Sequence, residues 1–349
     1  MPVFCVPNDN LLDRQLKNTM YCASIKYYNW VLYAENQRIY SLHSKKAKGF
    51  GKMEKVSVIV ATFQRSRELR RALDSLAVQT YANMEIILVD DNRDSVWNGK
   101  VAAIAADFMQ QNPSVSMSVI VNEENHGSAK ARNIGIMAST GHYITFLDDD
   151  DIYFPDKVRK QVSFMVEGNY DFSITDMYLY NENDKLADRR IRNYLKNAGR
   201  EDLGKYHMMY HLTGTDTLMF KRDFLLSIGG FGPANVGDEY YLMQRAIEAE
   251  GSIGYLPGCD VKAYIHTNEG GVSSGDGKIQ GENALYAYKK AHFHKIDKKS
   301  RRYIRLRHYA VIAFAELRRK RIIPFVRNAS VAFLCDPIQC AKLVIKRRF

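Results

Sequence analysis

Cysteine is scarce and unpatterned in this chain. Cys5, Cys22, Cys259, Cys335 and Cys340 are odd in number and show no C-x-x-C spacing, which argues against a disulfide framework or a thiolate zinc site and fits a reducing compartment. Long apolar runs are missing as well: nothing approaches the roughly 18 residues that a membrane-spanning helix needs. The N-terminus lacks the basic and apolar blocks of a signal peptide. A cytoplasmic location is the expectation from these absences. The first strand-like run is followed by Ala61-Thr62-Phe63-Gln64-Arg65 rather than by G-x-G-x-x-G, so a dinucleotide-binding domain would have no phosphate loop.

What is present is an ordinary globular composition, 46% hydrophobic and 26% charged over 349 residues. That suffices for one large domain with appended segments, or for two domains. The net charge of +11 is unevenly spread. Between Lys295 and Phe349 sixteen Lys and Arg face three acids, Asp297, Glu316 and Asp336. The tail therefore holds the whole basic excess, and the rest of the chain is slightly acidic.

Residues 1–43 surround an aromatic group, Tyr27, Tyr28, Trp30 and Tyr33, and are expected to form one or two helices; Ser44 to Lys52 is polar, basic and glycine-containing and reads as a linker. From Val56 the periodicity is clear. Val56 to Ala61 is a buried-strand run, and a helix follows with the stripe Leu69, Leu73, Leu76, Ala77. Glu85 to Val89 is a second strand, ending at Asp90-Asp91-Asn92, and Val101, Ile104, Ala105, Phe108 and Met109 mark one buried helical face. A third strand spans Ser116 to Val121. Gly127 opens a third helix through Ala131, Ile134 and Ala138, closed by Gly141, and Tyr143 to Leu147 is a fourth strand. Such alternation predicts an α/β fold with a mostly parallel central sheet covered by helices on both faces, binding its ligand beyond the carboxyl ends of the strands.

The fourth strand runs into Asp148-Asp149-Asp150-Asp151, and Pro155 beyond it suits the first turn of a helix. Four adjacent carboxylates repel one another, so they persist when well solvated or when a cation sits among them. The spaced ligands and central glycine of an EF-hand calcium loop are missing. Asp91 and the acidic cluster both fall at strand ends facing one crevice.

The motifs Val56 to Phe63, Leu76-Ala77-Val78-Gln79-Thr80-Tyr81, Glu85 to Asn92, Gly127-Ser128-Ala129-Lys130-Ala131-Arg132-Asn133-Ile134-Gly135, Phe146 to Asp151, Gly229-Gly230-Phe231 and Gly237-Asp238-Glu239 resemble, in order and spacing, those of family 2 glycosyltransferases. The resemblance covers roughly residues 55–275 and implies a GT-A fold and inverting transfer of a sugar from a nucleoside diphosphate, UDP-type by preference, to a hydroxyl. The acceptor would be a glycan or a lipid-linked one, as in bacterial cell-surface polysaccharide or glycolipid synthesis. A sugar nucleotidylyltransferase is the alternative, but its glycine-rich phosphate loop is absent; a nucleotide- or glycan-binding membrane adaptor without turnover is the other.

Transfer from a nucleoside diphosphate leaves extra charge on phosphate, which calls for a divalent cation with hard oxygen ligands, Mg²⁺ or Mn²⁺. The resemblance implies Asp150 as direct ligand, with Asp148 and with His266 completing the site, and Asp149 orienting ribose or sugar hydroxyls. It implies nucleotide contacts at Ala61, Thr62, Phe63, Arg65, Asp91 and Arg132. The acceptor's proton needs a carboxylate base, and Asp238 and Glu239 are the catalytic candidates; the family order there is usually Glu-Asp, reversed here. The Gly/Ser-rich loop Gly270 to Gly277 is expected to close over the donor.

These readings divide the chain into residues 1–50 as an extension and linker, 51–290 as the GT-A domain with its nucleotide half ending near 151, and 291–349 as a basic helical tail. Apolar groups such as Tyr309, Ile312, Phe314, Ile322, Ile323 and Phe333 interleave with basic clusters at Arg318 to Arg321 and Lys346 to Arg348. That is the composition of helices lying on an anionic membrane surface, so a peripheral location on the inner face of the cell membrane is expected. No nucleic-acid motif is present, and no nucleic-acid partner is expected.

Overall fold

The run Val56–Thr62 forms β1, and it is buried almost throughout because helices cover both faces of its sheet. The computed structural model describes residues 53–232, 237–265 and 275–345. The N-terminal extension with its aromatic group, the linker, His266 and the final basic cluster lie outside the described residues.

After β1 the chain alternates as its periodicity requires: α1 (Arg67–Ala77), β2 (Met84–Asp90), α2 (Ser95–Gln111), β3 (Ser116–Val121), α3 (Ser128–Ala138) and β4 (Tyr143–Phe146). Asp94 starts α2 by accepting hydrogen bonds from the amides of Val96 and Trp97. The second half is less regular, with β5 (Ile152–Tyr153), α4 (Lys157–Gly168), β6 (Phe172–Thr175), β7 (Met177–Asn181), β8 (Leu186–Arg190), α5 (Arg200–Tyr210), β9 (Leu218–Lys221), α6 (Arg222–Ser227), α7 (Asp238–Glu248), β10 (Ile253–Leu256) and β11 (Val261–Ile265). Three longer helices and a short one complete it: α8 (Gly275–Ala291), α9 (Lys298–Arg318), α10 (Ile322–Cys335) and α11 (Pro337–Ile345).

Seven strands make the central sheet in the order β10-β6-β9-β4-β1-β2-β3. All its pairs are parallel except those of β9, which runs antiparallel between β4 and β6. From β1 the chain moves outward to β2 and β3, then returns to β4 on the other side of β1. The crevice between β1 and β4 is therefore a topological switch point, where open α/β sheets place their ligands. A second sheet, β5-β11-β7-β8, is built from the second half of the alternating region. One apolar core, with Val58, Leu69, Ile86 and Phe108, fills the α1/α2 face; another, with Ile59, Phe146, Phe220 and Leu242, fills the opposite face.

Two local expectations need correction. Pro155 is not in a first helical turn: α4 starts at Lys157, because Tyr153 is drawn into the core and β5 pairs with β11 before the helix can begin. The glycine loop expected to run to Gly277 ends sooner, since α8 starts at Gly275, and residues 266–274 lie outside the described residues. The tail is also less peripheral than its composition suggests. Ile304, Leu306, Ala310, Ile312 and Ala313 of α9 are buried, with Ile304 packed against Met208 of α5.

Candidate active site

The end of β1 and the acidic turn after β4 meet across the switch point. Thr62 donates its hydroxyl to Asp149 Oδ2 at 2.7 Å, the Phe63 amide reaches the same oxygen at 3.3 Å, and Arg65 Nη1 holds Asp149 Oδ1 at 2.5 Å. The same Arg65 nitrogen lies 2.9 Å from Asp150 Oδ2. Burial pushes the Asp149 carboxyl up to about 6, with Arg65 opposing and Asp150 reinforcing the rise. Phe63 itself is exposed beside this turn, while Ala61 packs toward Ile87, Val89 and Ala131.

Asp91 follows β2 and is buried. Its carboxylate accepts from Asn122 Nδ2 at 2.8 Å and from the amides of His126 and Gly127 at 3.0 and 2.8 Å. Asn92, pinned by Asp90, accepts the Gln64 amide at 2.7 Å. Strand-end side chains thus tie together the loops after β1, β2 and β3. Gly127, at φ +79°, enters α3 in a conformation that favours glycine.

Arg132 on α3 joins the two halves of the crevice. Its Nη2 bonds Asp148 Oδ1 at 2.6 Å and its Nη1 bonds Asp238 Oδ2 at 3.1 Å. Burial would weaken its charge, but Asp148, Asp238 and Glu239 outweigh that and hold it firmly protonated. The guanidinium also lies over Phe231, whose backbone is clamped at both N–H and C=O by Asn133. Asp238 stands at the start of α7, and burial raises it to about 6 against the pull of Arg132. Its neighbour Glu239 is half-buried and takes the Gly214 amide at 2.7 Å and the Thr215 hydroxyl at 2.6 Å.

Beneath the turn lies a pair that the motifs do not announce. Asp216, in the loop after α5, accepts the Asp148 amide at 2.7 Å and shares a hydrogen bond with Asp151, whose Oδ1 also takes the Tyr264 amide at 2.8 Å. Burial, and then Asp148, push Asp216 up to about 8, while burial and Asp216 push Asp151 well above the carboxylate range. Carboxylate oxygens of Asp148, Asp151 and Asp216 lie within 4.8 Å of one another. Lys157, fully buried below them, bonds Thr145 and Tyr153 at 2.6 Å each, and burial drives its amine well below the usual lysine range.

Ala61, Thr62, Phe63, Arg65, Asp91, Asp148, Asp149 and Asp150 fall on strand ends and loops around one crevice, joined there by Arg132 of α3 and by Asp238 and Glu239 of α7, whereas His266 lies outside the described residues. Sequence reading missed Asp216, Asn92, Asn122 and Asn133. Asn92 and Asn133 sit inside motifs and were within reach; Asp216 stands in Gly-Thr-Asp-Thr, which carries no pattern.

Residues 57–225 match the description "Glycosyl transferase family 2". Escherichia coli WfgD, a UDP-Glc:alpha-D-GlcNAc-diphosphoundecaprenol beta-1,3-glucosyltransferase, is 29% identical over 150 residues, 41% of this chain and 56% of WfgD. The chain spans between about a fifth and just over half of the lengths of the curated relatives it matches. Staphylococcus aureus TarS in complex with UDP-GlcNAc shares the fold at a TM-score of 0.53 and 15% identity, over 78% of this chain and 89% of that one. So does the Pyrobaculum calidifontis mannosyltransferase PcManGT in complex with GDP-Man and Mn²⁺, at a TM-score of 0.52 and 16% identity, over 92% and 90%. The ordered motifs, the crevice they build and these likenesses together make residues 57–225 a member of glycosyl transferase family 2, on a GT-A type α/β fold.

Proposed function

We propose that this chain is an inverting, divalent-metal-dependent glycosyltransferase that moves a sugar from a nucleoside diphosphate, UDP-type by preference, to a hydroxyl of a lipid-linked glycan at an anionic membrane face. The observation that carries the reading is the Arg132 bridge. It brings an acidic turn suited to a diphosphate and its cation within one guanidinium of a carboxylate pair suited to a base.

The donor set fits a hard cation, since it is entirely carboxylate. Asp151 and Asp216 satisfy each other by sharing a proton, so we assign the ligands to Asp148 and Asp150, with Arg65 exchanging Asp150 for the donor. When bound, the cation neutralises charge on the departing diphosphate. Thr62 and the Phe63 amide hold Asp149 where it can meet a ribose or sugar hydroxyl, and the loops tied by Asp91 and Asn92 form the wall for the base. Glu239 is held by uncharged donors and stands half-buried, so it is assigned as the base that takes the acceptor's proton as the hydroxyl attacks. Asp238, committed to Arg132, positions that arginine. Attack from the face opposite the leaving diphosphate inverts the anomeric centre.

Membrane association follows from the surface of the tail. Among the described residues no helix is long and apolar enough to cross a membrane. Yet Ile322, Ile323, Val326, Phe333, Leu334 and Ile338 of α10 and α11 are exposed, next to Arg318, Arg319, Lys320 and Arg321. Apolar groups beside a basic cluster suit an anionic lipid interface, and WfgD is named for a diphosphoundecaprenol-linked acceptor.

The test is a panel of nucleotide sugars offered with Mg²⁺ or Mn²⁺ and a lipid-linked glycan, read by nucleoside diphosphate release and by the anomeric configuration of the product. Release of a nucleoside diphosphate with inversion supports the proposal. Formation of a nucleoside triphosphate when pyrophosphate is added to the nucleotide sugar, the mark of nucleotidyl transfer run in reverse, or retention at the anomeric carbon would overturn it.

A further inference from the structure

A second group of ionisable side chains lies on the acceptor side, beyond Glu239, on elements that take no part in the nucleotide crevice. Lys289 of α8 is 5% exposed, and its Nζ approaches Nε2 of His211, just after α5, at 2.5 Å. Arg307 of α9 reaches the Met209 carbonyl at 3.1 Å and lines the same small cleft with His211, Lys289 and His308. Arg190, at the end of β8, lies within electrostatic reach of both Arg307 and Glu239.

Lys289 and Arg307 meet in the cleft with Arg190 in electrostatic reach, and among the described residues the acid lining it is Glu282. The positive charge is under-compensated. Burial and Arg307 press Lys289 down to about 7 in spite of Glu282, and burial, Arg307 and Lys289 press His211 well below the usual imidazole range. His308, more than nine-tenths buried and stacked on Tyr286 at 4.0 Å, leaves its Nδ1 without a hydrogen-bond partner. A buried, unpartnered ring nitrogen beside converging cations is what an anion's oxygen would satisfy. The cleft has room for about one water-sized group, roughly 10 Å³, so a phosphate would place one oxygen inside and keep the others at the mouth.

We infer that Lys289, Arg307, Arg190 and the His211–His308 pair form a phosphate subsite for the acceptor, which makes the acceptor a phosphate-bearing molecule. The location supports an acceptor over a donor phosphate. Helix α9 carries Arg307 and packs on α10, whose apolar groups are exposed, while Arg190 lies within electrostatic reach of Glu239. A phosphate held here would hang between a lipid surface and the base. The inference rests on the proposed glycosyl transfer for the identity of its ligand, though the binding itself needs neither metal nor turnover.

Inorganic pyrophosphate is the probe, titrated calorimetrically into the full chain in excess chelator, which disables the metal-assisted donor site. Arg190→Gln and Arg307→Gln are the variants, because both residues retain exposure, with thermal melts to confirm folding; Lys289→Gln is added if it folds. Each should weaken pyrophosphate by about tenfold, the loss expected for one charge-assisted hydrogen bond, while UDP binding with Mn²⁺ stays within about twofold of wild type. Pyrophosphate affinity unchanged in the Arg190→Gln/Arg307→Gln double variant would overturn the subsite. A parallel loss of UDP affinity would assign the cluster to the donor diphosphate instead. Failure of every sugar nucleotide to turn over would count against the proposed function and leave the pyrophosphate result standing.

Discussion

Arg132 reaches Asp148, Asp238 and the face of Phe231 while almost fully buried. Removing it leaves the buried Asp238 and the half-buried Asp148 without their cation, which costs about 3–5 kcal/mol when a buried pair is broken from one side. Arg132→Ala is therefore expected to lower unfolding stability by about that much and to cut kcat at least about a hundredfold, and Arg132→Lys to restore more stability than activity, because an ammonium cannot bridge both acids. Denaturant unfolding and steady-state rates on the same preparations check this. Asp149 and Asp238, both raised to about 6, add a pH dependence. As pH falls through about 6 each takes up a proton, loses its negative charge and releases Arg65 or Arg132, so kcat/KM should drop on the acid side with a midpoint near 6. A profile that stays flat down to pH 5 would contradict it.

Strand ends with the loops they hold are the working units of the crevice. The first four strands were legible because continuous apolar runs of buried-strand length leave little choice, and the motifs at their ends fell in place with them. The roles at those ends were less legible. Asp91 was expected to contact the nucleotide, and its carboxylate also accepts from Asn122 and from the His126 and Gly127 amides. No spacing rule reveals that, since the bonds depend on where the loop before α3 returns. Asp91→Ala is expected to weaken nucleotide binding by loosening this wall, and to lower the melting temperature because the buried Asn122 side chain and two half-buried amides lose their acceptor, at about 1–3 kcal/mol for a fully buried donor. A base-contact role alone would leave the melt unchanged. Asp216 was illegible for a similar reason: its partners Asp148 and Asp151 lie more than sixty residues away, and only the fold brings them together.

Taken as one molecule, the described residues set a candidate crevice at one switch point and a basic helical block packed on α5. Composition foretold that block's charge and helicity, but it could not separate the buried face of α9, with Ile312, from the exposed face of α10, with Ile323 and Phe333, because both are apolar at helical spacing. Ile323→Glu with Leu334→Glu should abolish binding to anionic vesicles without disturbing the melt, since both side chains are exposed; wild-type binding should fall as salt rises. Vesicle binding by the double variant equal to wild type would remove the membrane from the account. The most direct test of the whole is nucleoside diphosphate release by wild type and Asp150→Ala, with Mn²⁺ and with excess chelator, alongside unfolding curves. The account predicts release by wild type with the metal, loss of at least about a hundredfold in chelator and in Asp150→Ala, and unchanged unfolding of the variant. Undiminished release in either case would contradict it.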